Sequence, residues 1–272
     1  MVRNLVSLGR RGALAALVTA PLAVVAAGSA RASGGGIPRG YADVDPRTAR
    51  RVPLWQELSP SNPLFPGDPP FTFEIFDTIP ADGFLLERIT SLGTHTGTHI
   101  SAPAHFVEGG KFLSELDEGF AMMPLAVVDV RARIAADGPD FLVEIADLKA
   151  WERRYGSIPA RGCVLLYTGY SSHYVQGPYD EPAPGFSGDA TAWLFERRGI
   201  LAIGSDTYGP DATSDSDFSS TSTALAAGGI TVENVGPGLG RMRRFGDWVA
   251  INGGRPHFGG FQMGITGFTL PS

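Results

Sequence analysis

The chain is short of cysteine and of charged residues, and both shortages limit what it can be. Its single cysteine, Cys163, excludes an internal disulfide and lies in an apolar run typical of a strand. We therefore expect a small buried core residue there rather than a nucleophile. Charged residues are only 18% of the 272, while glycine and proline number 36 and 21, which predicts many turns rather than long helices. Length and 43% hydrophobic content suit one sizeable core, or at most two small domains.

The N-terminal segment lacks acidic residues and has the pattern of an export signal. Arg10 and Arg11 precede an apolar, alanine-rich stretch over residues 13–27, and residues 30–32 (Ala-Arg-Ala) supply small residues for cleavage. The stretch is too short to be a convincing membrane span. We predict a signal over residues 1–32 that sends the protein to the periplasm or the exterior. The paired arginines favour the twin-arginine route, with Sec export or a retained anchor as alternatives.

The charge balance disfavours nucleic-acid and lipid partners. Removing residues 1–32 deletes four arginines and no acid, so the formal net charge shifts from −6 to −10. A surface that acidic repels nucleic acid and anionic lipid, and no basic patch offsets it. We expect a small-molecule substrate as the partner, with no nucleic acid and no membrane contact after cleavage.

Short strand-like runs alternate with a few helical patterns along the rest of the chain. After a flexible lead-in over residues 33–52, helices are predicted at 145–155, at 188–198 closed by Gly199, and more weakly at about 219–227. This alternation predicts a single α/β domain over residues 53–272 with a mixed sheet. The strand-like runs are Phe71–Phe76, Phe84–Ile89, Leu125–Val130, Val164–Tyr167, Leu201–Ile203 and Ile230–Val232.

Three of the five histidines fall within eleven residues. His95, His99 and His105 occupy positions of one parity, together with Ser101 and Pro103. On an extended segment, residues of one parity point to one face, whereas the intervening glycine, β-branched residues and proline disfavour a helix. We predict a strand that ends in a proline-bent loop, with the imidazoles converging on one pocket. The alternative is a set of individually satisfied histidines that line a turn.

The cluster has the chemistry of a metal or acid–base site. Neutral imidazoles bind zinc and related divalent ions, and His95 and His99 are the natural pair. His105, beyond the bend, is better placed as a general acid or base because the pKa of imidazole lies near neutrality. Glu233 closes a short apolar strand and is a candidate carboxylate ligand. The alternative for Glu233 is an ordinary solvent-facing acid.

The run from His95 to Phe106 resembles the motif His-x-Gly-Thr-His-x-Asp-x-Pro-x-His of the cyclase family, which includes kynurenine formamidase and isatin hydrolase. Further segments resemble family motifs in the same order along nearly the whole mature chain. These segments are Phe65-Pro66-Gly67-Asp68-Pro69, Ala104-His105-Phe106, Thr168-Gly169-Tyr170, Gly204-Ser205-Asp206-Thr207 with Asp211, and Glu233-Asn234-Val235.

The resemblance implies a mixed-sheet α/β fold of the swivelling β/β/α type, assembled as homodimers or homotetramers. It also implies an enzyme that opens amide bonds with one or two divalent ions. By the same resemblance, His95 and His99 are metal ligands, Glu233 is a further ligand and His105 is the proton shuttle. Phe65 is implied as a wall of the substrate pocket.

Two departures from the family motifs affect the same second ion. The aspartate between the second and third histidines is Ser101 here, and the position of a further histidine ligand is occupied by Thr221. A hydroxyl supplies no negative charge to hold a cation. We therefore expect one divalent ion, zinc or manganese, and assign Ser101 with Phe65 to substrate binding. Nearby residues that are better explained as solvated loop residues are Asp215, Asp217, His173 and His257.

Three functions stay open on the sequence alone. The first is a metal-dependent hydrolase of a formamide or cyclic amide, with a metal-bound water as nucleophile and His105 as proton shuttle. The second is a metal-independent cyclase or dehydratase of a secondary metabolite that uses His105. The third is an exported, non-catalytic relative that binds a small molecule. Two alternatives also stay open for Tyr170, Tyr174 and Tyr208: they line an aromatic pocket, or they belong to the core.

Overall fold

The computed structural model describes residues 40–41, 44–45, 47–174 and 181–270. Contacts divide the chain after Gly35, and every described residue lies in the second unit, Gly36–Ser272. The predicted export signal over residues 1–32 falls outside the described residues. Within the described ranges, no helix combines the length and the apolar character needed to cross a bilayer.

Nine strands form one mixed sheet at the centre of the described chain. Its order is β1-β13-β11-β5-β7-β9-β10-β4-β12, and two further strand pairs, β2-β3 and β6-β8, lie outside it. The strands are β1 (Arg50–Pro53), β2 (Thr72–Asp77), β3 (Leu86–Ser91), β4 (His99–Ser101), β5 (Met122–Asp129), β6 (Leu142–Val143), β7 (Cys163–Tyr167), β8 (Gly185–Phe186), β9 (Ala202–Ser205), β10 (Ile230–Glu233), β11 (Asp247–Asn252), β12 (Gly260–Gln262) and β13 (Gly264–Thr269).

The middle of the sheet is parallel and buried on both faces. Strands β5, β7, β9 and β10 run parallel, and antiparallel strands flank them on each side. Along β5, Leu125 and Val127 belong to one apolar cluster, whereas Ala126 and Val128 belong to another on the opposite face. Strands covered on both faces read as continuous apolar runs. Cys163 is buried in the first cluster, as predicted.

Five helices are described, and all but the first, which lies between β2 and β3, stand on one of these faces. They are α1 (Ile79–Asp82), α2 (Arg131–Asp137), α3 (Ile145–Tyr155), α4 (Gly188–Trp193, continued by a π-helical turn over Leu194–Arg198) and α5 (Ser219–Ala226). Helix α3 packs through Leu148 and Trp151, whose indole donates to the Val127 carbonyl at 2.9 Å. The Ser187 hydroxyl accepts from the Ala190 N–H and caps α4.

The α/β class with a mixed sheet is confirmed. All three predicted helices are present, and each strand-like run overlaps an observed strand. The domain boundary differs from the prediction, because the predicted flexible lead-in packs on the sheet where it is described. Tyr41 is buried and donates to the Leu125 carbonyl at 2.9 Å, and β1 begins at Arg50 and pairs with β13. Residue 53 therefore falls inside a strand rather than before the domain.

Strands β2 and β3 form a two-stranded antiparallel unit connected through α1, which we call the hairpin (residues 72–91). Among the described residues, these two strands pair only with each other. Eight large apolar side chains of the hairpin are 45–66% exposed: Phe73, Ile75, Phe76, Ile79, Phe84, Leu85, Leu86 and Ile89. The hairpin joins the Phe65–Asp68 turn to the histidine segment.

Candidate active site

Two antiparallel strands, β4 and β10, build the base of the site. His99 lies directly opposite Glu233, and Ser101 lies opposite Thr231. Residues two apart on a strand share a face, so these four side chains meet. Glu233 Oε1 accepts hydrogen bonds from Ser101 Oγ at 3.1 Å and from Thr231 Oγ1 at 2.7 Å. Glu233 Oε2 lies 3.3 Å from His99 Nε2. We call these four residues the floor.

His95 reaches the floor from a turn and not from a strand. The predicted strand that ends in a proline bend is present as β4 and the turn at Pro103, but it is shorter than predicted and excludes His95, because Gly97 upstream adopts a φ of 72°. The His95 Nδ1 lies 3.3 Å from Ser101 Oγ. Its ring packs against Gly260 of β12, where a Cβ would overlap the imidazole.

His105 arrives by a third route, a 3₁₀ turn over Pro103–His105. Its ring stacks on that of His95, with centroids 3.9 Å apart and planes at 23°. The His95 ring also meets the His99 ring edge-on at 5.0 Å. The three imidazoles therefore converge on one pocket, although only one of them is on a strand.

The His99–Glu233 contact sets the charge of the floor. Burial disfavours the protonated His99, but the Glu233 carboxylate outweighs it and raises the pKa of His99. In the same pair, the imidazole outweighs the effect of burial and lowers the pKa of Glu233. His99 Nδ1 lies 2.9 Å from the Gly97 carbonyl, which fixes Nδ1 as a donor and leaves Nε2 directed at Glu233.

The other two imidazoles favour the neutral form. Burial, followed by the neighbouring His99 and His105, lowers the pKa of His95 to about 3. Burial also lowers the pKa of His105 below its ordinary value. A neutral imidazole near the floor has a free lone pair, which makes His105 able to accept a proton.

The histidines and Glu233 open onto a cavity of about 540 Å³. Phe65 lies in its wall, where the resemblance implies it, and Tyr208 lies there too. Ser101 is a fully buried member of the floor and does not line the cavity. The Ser101 hydroxyl contacts Glu233 and His95. The sequence had instead predicted substrate binding for Ser101. Tyr170 and Tyr174 also lie outside the cavity lining.

Asp211 lines the same cavity and was missed as a site residue. Its Oδ1 accepts hydrogen bonds from the backbone N–H groups of Ser220 and Thr221 at 2.7 and 3.1 Å, and its Oδ2 accepts from the Thr221 hydroxyl. Burial raises the pKa of Asp211 to about 6. The aspartate stands upstream of a Ser/Thr-rich helix start, which is a weak signal in a polar loop.

Of the four residues predicted to be solvated loop residues, Asp215 alone lines the cavity. His173 Nε2 lies 3.4 Å from Glu181 Oε2, and His257 contacts Ser114 Oγ at 3.1 Å, both outside the cavity. Asp217 is exposed and does not line the cavity. Asp215 lies in the wall, with its carboxylate accepting from the Ser219 N–H at 3.0 Å.

The donors of the floor fit one divalent ion in part. His99 Nε2 is buried without a hydrogen bond of ordinary geometry, while its Nδ1 is held by a backbone carbonyl. Ligating histidines adopt this arrangement, and Glu233 Oε2 faces the same point. In the described part of the chain, no three His, Cys, Asp or Glu side chains stand ready as a metal-binding group. His95, whose ring meets that of His99 edge-on, would complete the set.

Comparisons with known sequences agree with the resemblance. The family model described as "Putative cyclase" matches residues 47–212. The kynurenine formamidase of Bacillus cereus is 29% identical over 189 residues, which cover 70% of this chain and 83% of that protein. The isatin hydrolase of Roseibium aggregatum is 34% identical over 132 residues, or 44% of this chain and 49% of that protein.

Solved structures share the fold. An isatin hydrolase bound to the product analogue thioisatinate superimposes with a TM-score of 0.74 at 22% identity, covering 83% of this chain and 94% of that one. Isatin hydrolase A from Ralstonia solanacearum gives 0.71 at 24% identity, with 82% and 93% covered. The expectation of a hydrolase acting on carbon–nitrogen bonds other than peptide bonds agrees with these named relatives. Since the family model matches more than half of its length, this chain belongs to the cyclase family.

Proposed function

We propose that the chain is a hydrolase that opens the C–N bond of a formamide or a cyclic amide. The observation that carries this proposal is the meeting of His99 and Glu233 across two strands, with His105 beside them in one cavity. Relatives named as a formamidase and as an isatin hydrolase support the bond type. The cavity volume of about 540 Å³ suits a substrate of one or two rings.

Some residues of the cavity position the substrate, and others transfer protons. Phe65 and Phe106 offer flat apolar walls for an aromatic substrate. Neutral His105 accepts a proton as water attacks the carbonyl carbon, and then gives that proton to the leaving nitrogen. Stacking on His95 at 3.9 Å holds the His105 ring in one orientation during both transfers.

His95, together with His99 and Glu233 of the floor, would hold one divalent ion, zinc or manganese. When bound, such an ion would lower the pKa of water and polarise the carbonyl. A second ion has little support, because the hydroxyls of Ser101 and Thr221 already donate to Glu233 and Asp211.

A second function, metal-free acid–base catalysis by His105, is favoured by the hydrogen bonds of the floor itself. Ser101 donates to Glu233 and contacts His95, so these side chains satisfy one another without an ion. In that case His105 would serve a cyclase or dehydratase of a secondary metabolite.

Metal content decides between the two functions. The full chain is purified with zinc and manganese available, and its metal is measured beside that of His99→Ala and Ser101→Asp. We expect about one ion per chain, lost in His99→Ala and held more tightly in Ser101→Asp, with chelator-sensitive hydrolysis of formanilides. Turnover that needs His105 but survives chelation would overturn the metal-dependent hydrolase and support the second function. Ligand binding without any turnover would support a non-catalytic relative.

We also propose that the chain forms homo-oligomers through the hairpin. Monomers rarely leave an apolar patch of several hundred Å² uncovered, and a dimer covers about 800 Å² on each partner. A second copy suits this surface because the hairpin presents both charge signs, Glu74 and Arg88, which already pair across its strands. Two hairpins can also join edge to edge, since the described strands β2 and β3 pair only with each other.

A further inference from the structure

We propose that the substrate is an aromatic amide that carries a protonated amine and no anionic group. This inference rests on the proposed hydrolase function and adds the chemical class of the substrate. It is carried by the charge of the cavity, by its aromatic walls and by one carboxylate that accepts no hydrogen bond from the described residues.

The cavity is strongly acidic. Four carboxylates line it, namely Asp68, Asp211, Asp215 and Glu233, and no lining residue in the described ranges is a lysine or arginine. A divalent ion at the floor would balance only two of these four charges. An anionic substrate therefore meets repulsion in a partly enclosed space, whereas a cation is attracted.

Aromatic rings supply the apolar part of the cavity wall. Phe106 lies between Phe218, with ring centroids 6.0 Å apart, and the His105 ring at 4.8 Å. Phe65 and Tyr208 line the cavity as well. Aromatic faces bind a flat ring, and they also stabilise an organic cation held over them.

Asp68 is the cavity carboxylate that is still able to accept hydrogen bonds from a ligand. Asp211 and Asp215 already accept hydrogen bonds from backbone N–H groups of the helix start. In contrast, none of the described residues donates a hydrogen bond to the Asp68 carboxylate or pairs with its charge. Asp68 is half-buried in the turn that begins at Phe65, and its charge acts on His99 and His105. We assign Asp68 as the partner of the substrate amine.

The test uses three para-substituted formanilides: aminomethyl (cationic) and ethyl (neutral), which match in size, and carboxymethyl (anionic). In each hydrolysis, water adds its hydroxyl to the formyl carbon, the C–N bond breaks and the proton goes to the aniline nitrogen. Formic acid and the aniline leave, and the para substituent is unchanged. kcat/KM is measured for each probe on the full chain, and Kd is measured by calorimetry.

We expect kcat/KM of the cationic probe to exceed that of the neutral probe by about tenfold, with the anionic probe lowest. Added salt should reduce this advantage because ions screen the attraction. Asp68→Asn should bring the cationic-to-neutral ratio close to one, and Asp68→Glu should restore it in part. Glu87→Gln, which removes a carboxylate of the hairpin outside the cavity, should leave the ratio unchanged.

Failure of the two proposals would look different. If no probe is hydrolysed but Kd follows the expected order, the hydrolase function is wrong and the charge inference stands. If the probes are hydrolysed with equal efficiency, or the anionic one is preferred, the charge inference is wrong and the function stands. Absence of binding by all three probes would overturn the charge inference.

Discussion

The floor and the hairpin break the usual rule of burial in opposite directions. On the floor, polar side chains are sealed inside the sheet: Ser101 and Thr231 are fully buried, and His99 is 1% exposed. On the hairpin, apolar side chains face outward, with Ile79 66% exposed. Buried polar groups and exposed apolar patches are the informative exceptions in a folded protein. The two exceptions carry our two proposals, chemistry at the floor and a second copy of the chain at the hairpin.

The largest expected effect comes from removing the proton carrier above the floor. His105→Ala should lower kcat for formanilide hydrolysis by about 10²–10⁴-fold, the usual contribution of a general acid–base group. Stability should change little, because His105 is exposed at the cavity wall. Steady-state kinetics and a thermal melt measure the two effects.

The matched control for this variant is His257→Ala. His257 is exposed, contacts Ser114 and packs on Phe112 with ring centroids 4.0 Å apart, outside the cavity. Its removal should leave kcat unchanged. An equal fall in both variants would show that His105 has no special part in proton transfer.

The floor itself should be sensitive to loss of charge. Glu233→Gln takes the counter-charge from buried His99 and weakens the hydrogen bonds from Ser101 and Thr231. We expect the free energy of unfolding to fall by about 2 kcal/mol in chelator-treated protein, measured from the denaturant midpoint.

An exposed carboxylate provides the contrast. Glu118 pairs with Arg255, and its side chain is 88% exposed. Glu118→Gln should change the free energy of unfolding by less than about 0.5 kcal/mol. Similar losses in Glu233→Gln and Glu118→Gln would remove the distinction between a sealed floor and ordinary surface charge.

The hairpin should respond in assembly rather than in folding. In Ile75→Glu combined with Phe76→Glu, charges replace two side chains that are each 60% exposed. We expect the sedimenting mass to fall to that of one chain, with little change in the unfolding of that chain. Leu270→Glu, a charge at another exposed apolar position, should leave the assembly intact. A wild-type chain that sediments as a monomer at micromolar concentration would contradict the hairpin proposal.

Local signals explain what the sequence predicted. Helix α3 has the predicted bounds, and α4 begins at its Ser187 cap and closes at Gly199, because capping and periodicity depend on neighbouring residues. The short interval from His95 to His105 likewise made convergence in one pocket predictable. Cys163 was recognisable as a core residue from the apolar run around it.

Long-range pairing explains what local patterns did not reveal, although the family resemblance implied that Glu233 joins His95 and His99. Glu233 meets His99 only because β10 lies antiparallel to β4 in one register, and Gly260 on a third strand gives His95 its space. Neither relation leaves a pattern within a window of neighbouring residues. The hairpin runs read as ordinary strands for a similar reason, since alternation shows which side chains share a face but not what covers that face.

The smallest expected effect separates two carboxylates of the cavity wall. Burial raises the pKa of Asp211 from its ordinary 3.8 to about 6, so the native state resists its ionisation. Stability that Asp211 contributes below pH 4 should be lost as the pH rises through 6. Relative to Asp211→Asn, the wild-type chain should therefore lose stability between pH 4 and pH 7, measured by denaturant titration.

Asp215 provides a control of opposite sign in the same loop. Burial opposes its ionisation, but hydrogen bonds from Ser219 outweigh burial and lower the pKa of Asp215 below its ordinary value. Its contribution is present above that ordinary value and is lost only as the pH falls through the lower one. Asp215→Asn should thus cost stability at neutral pH and cost less in acid. The same pH trend in both variants would mean that burial does not distinguish Asp211 from its neighbour, and that the wall is more open to water than the floor beneath it.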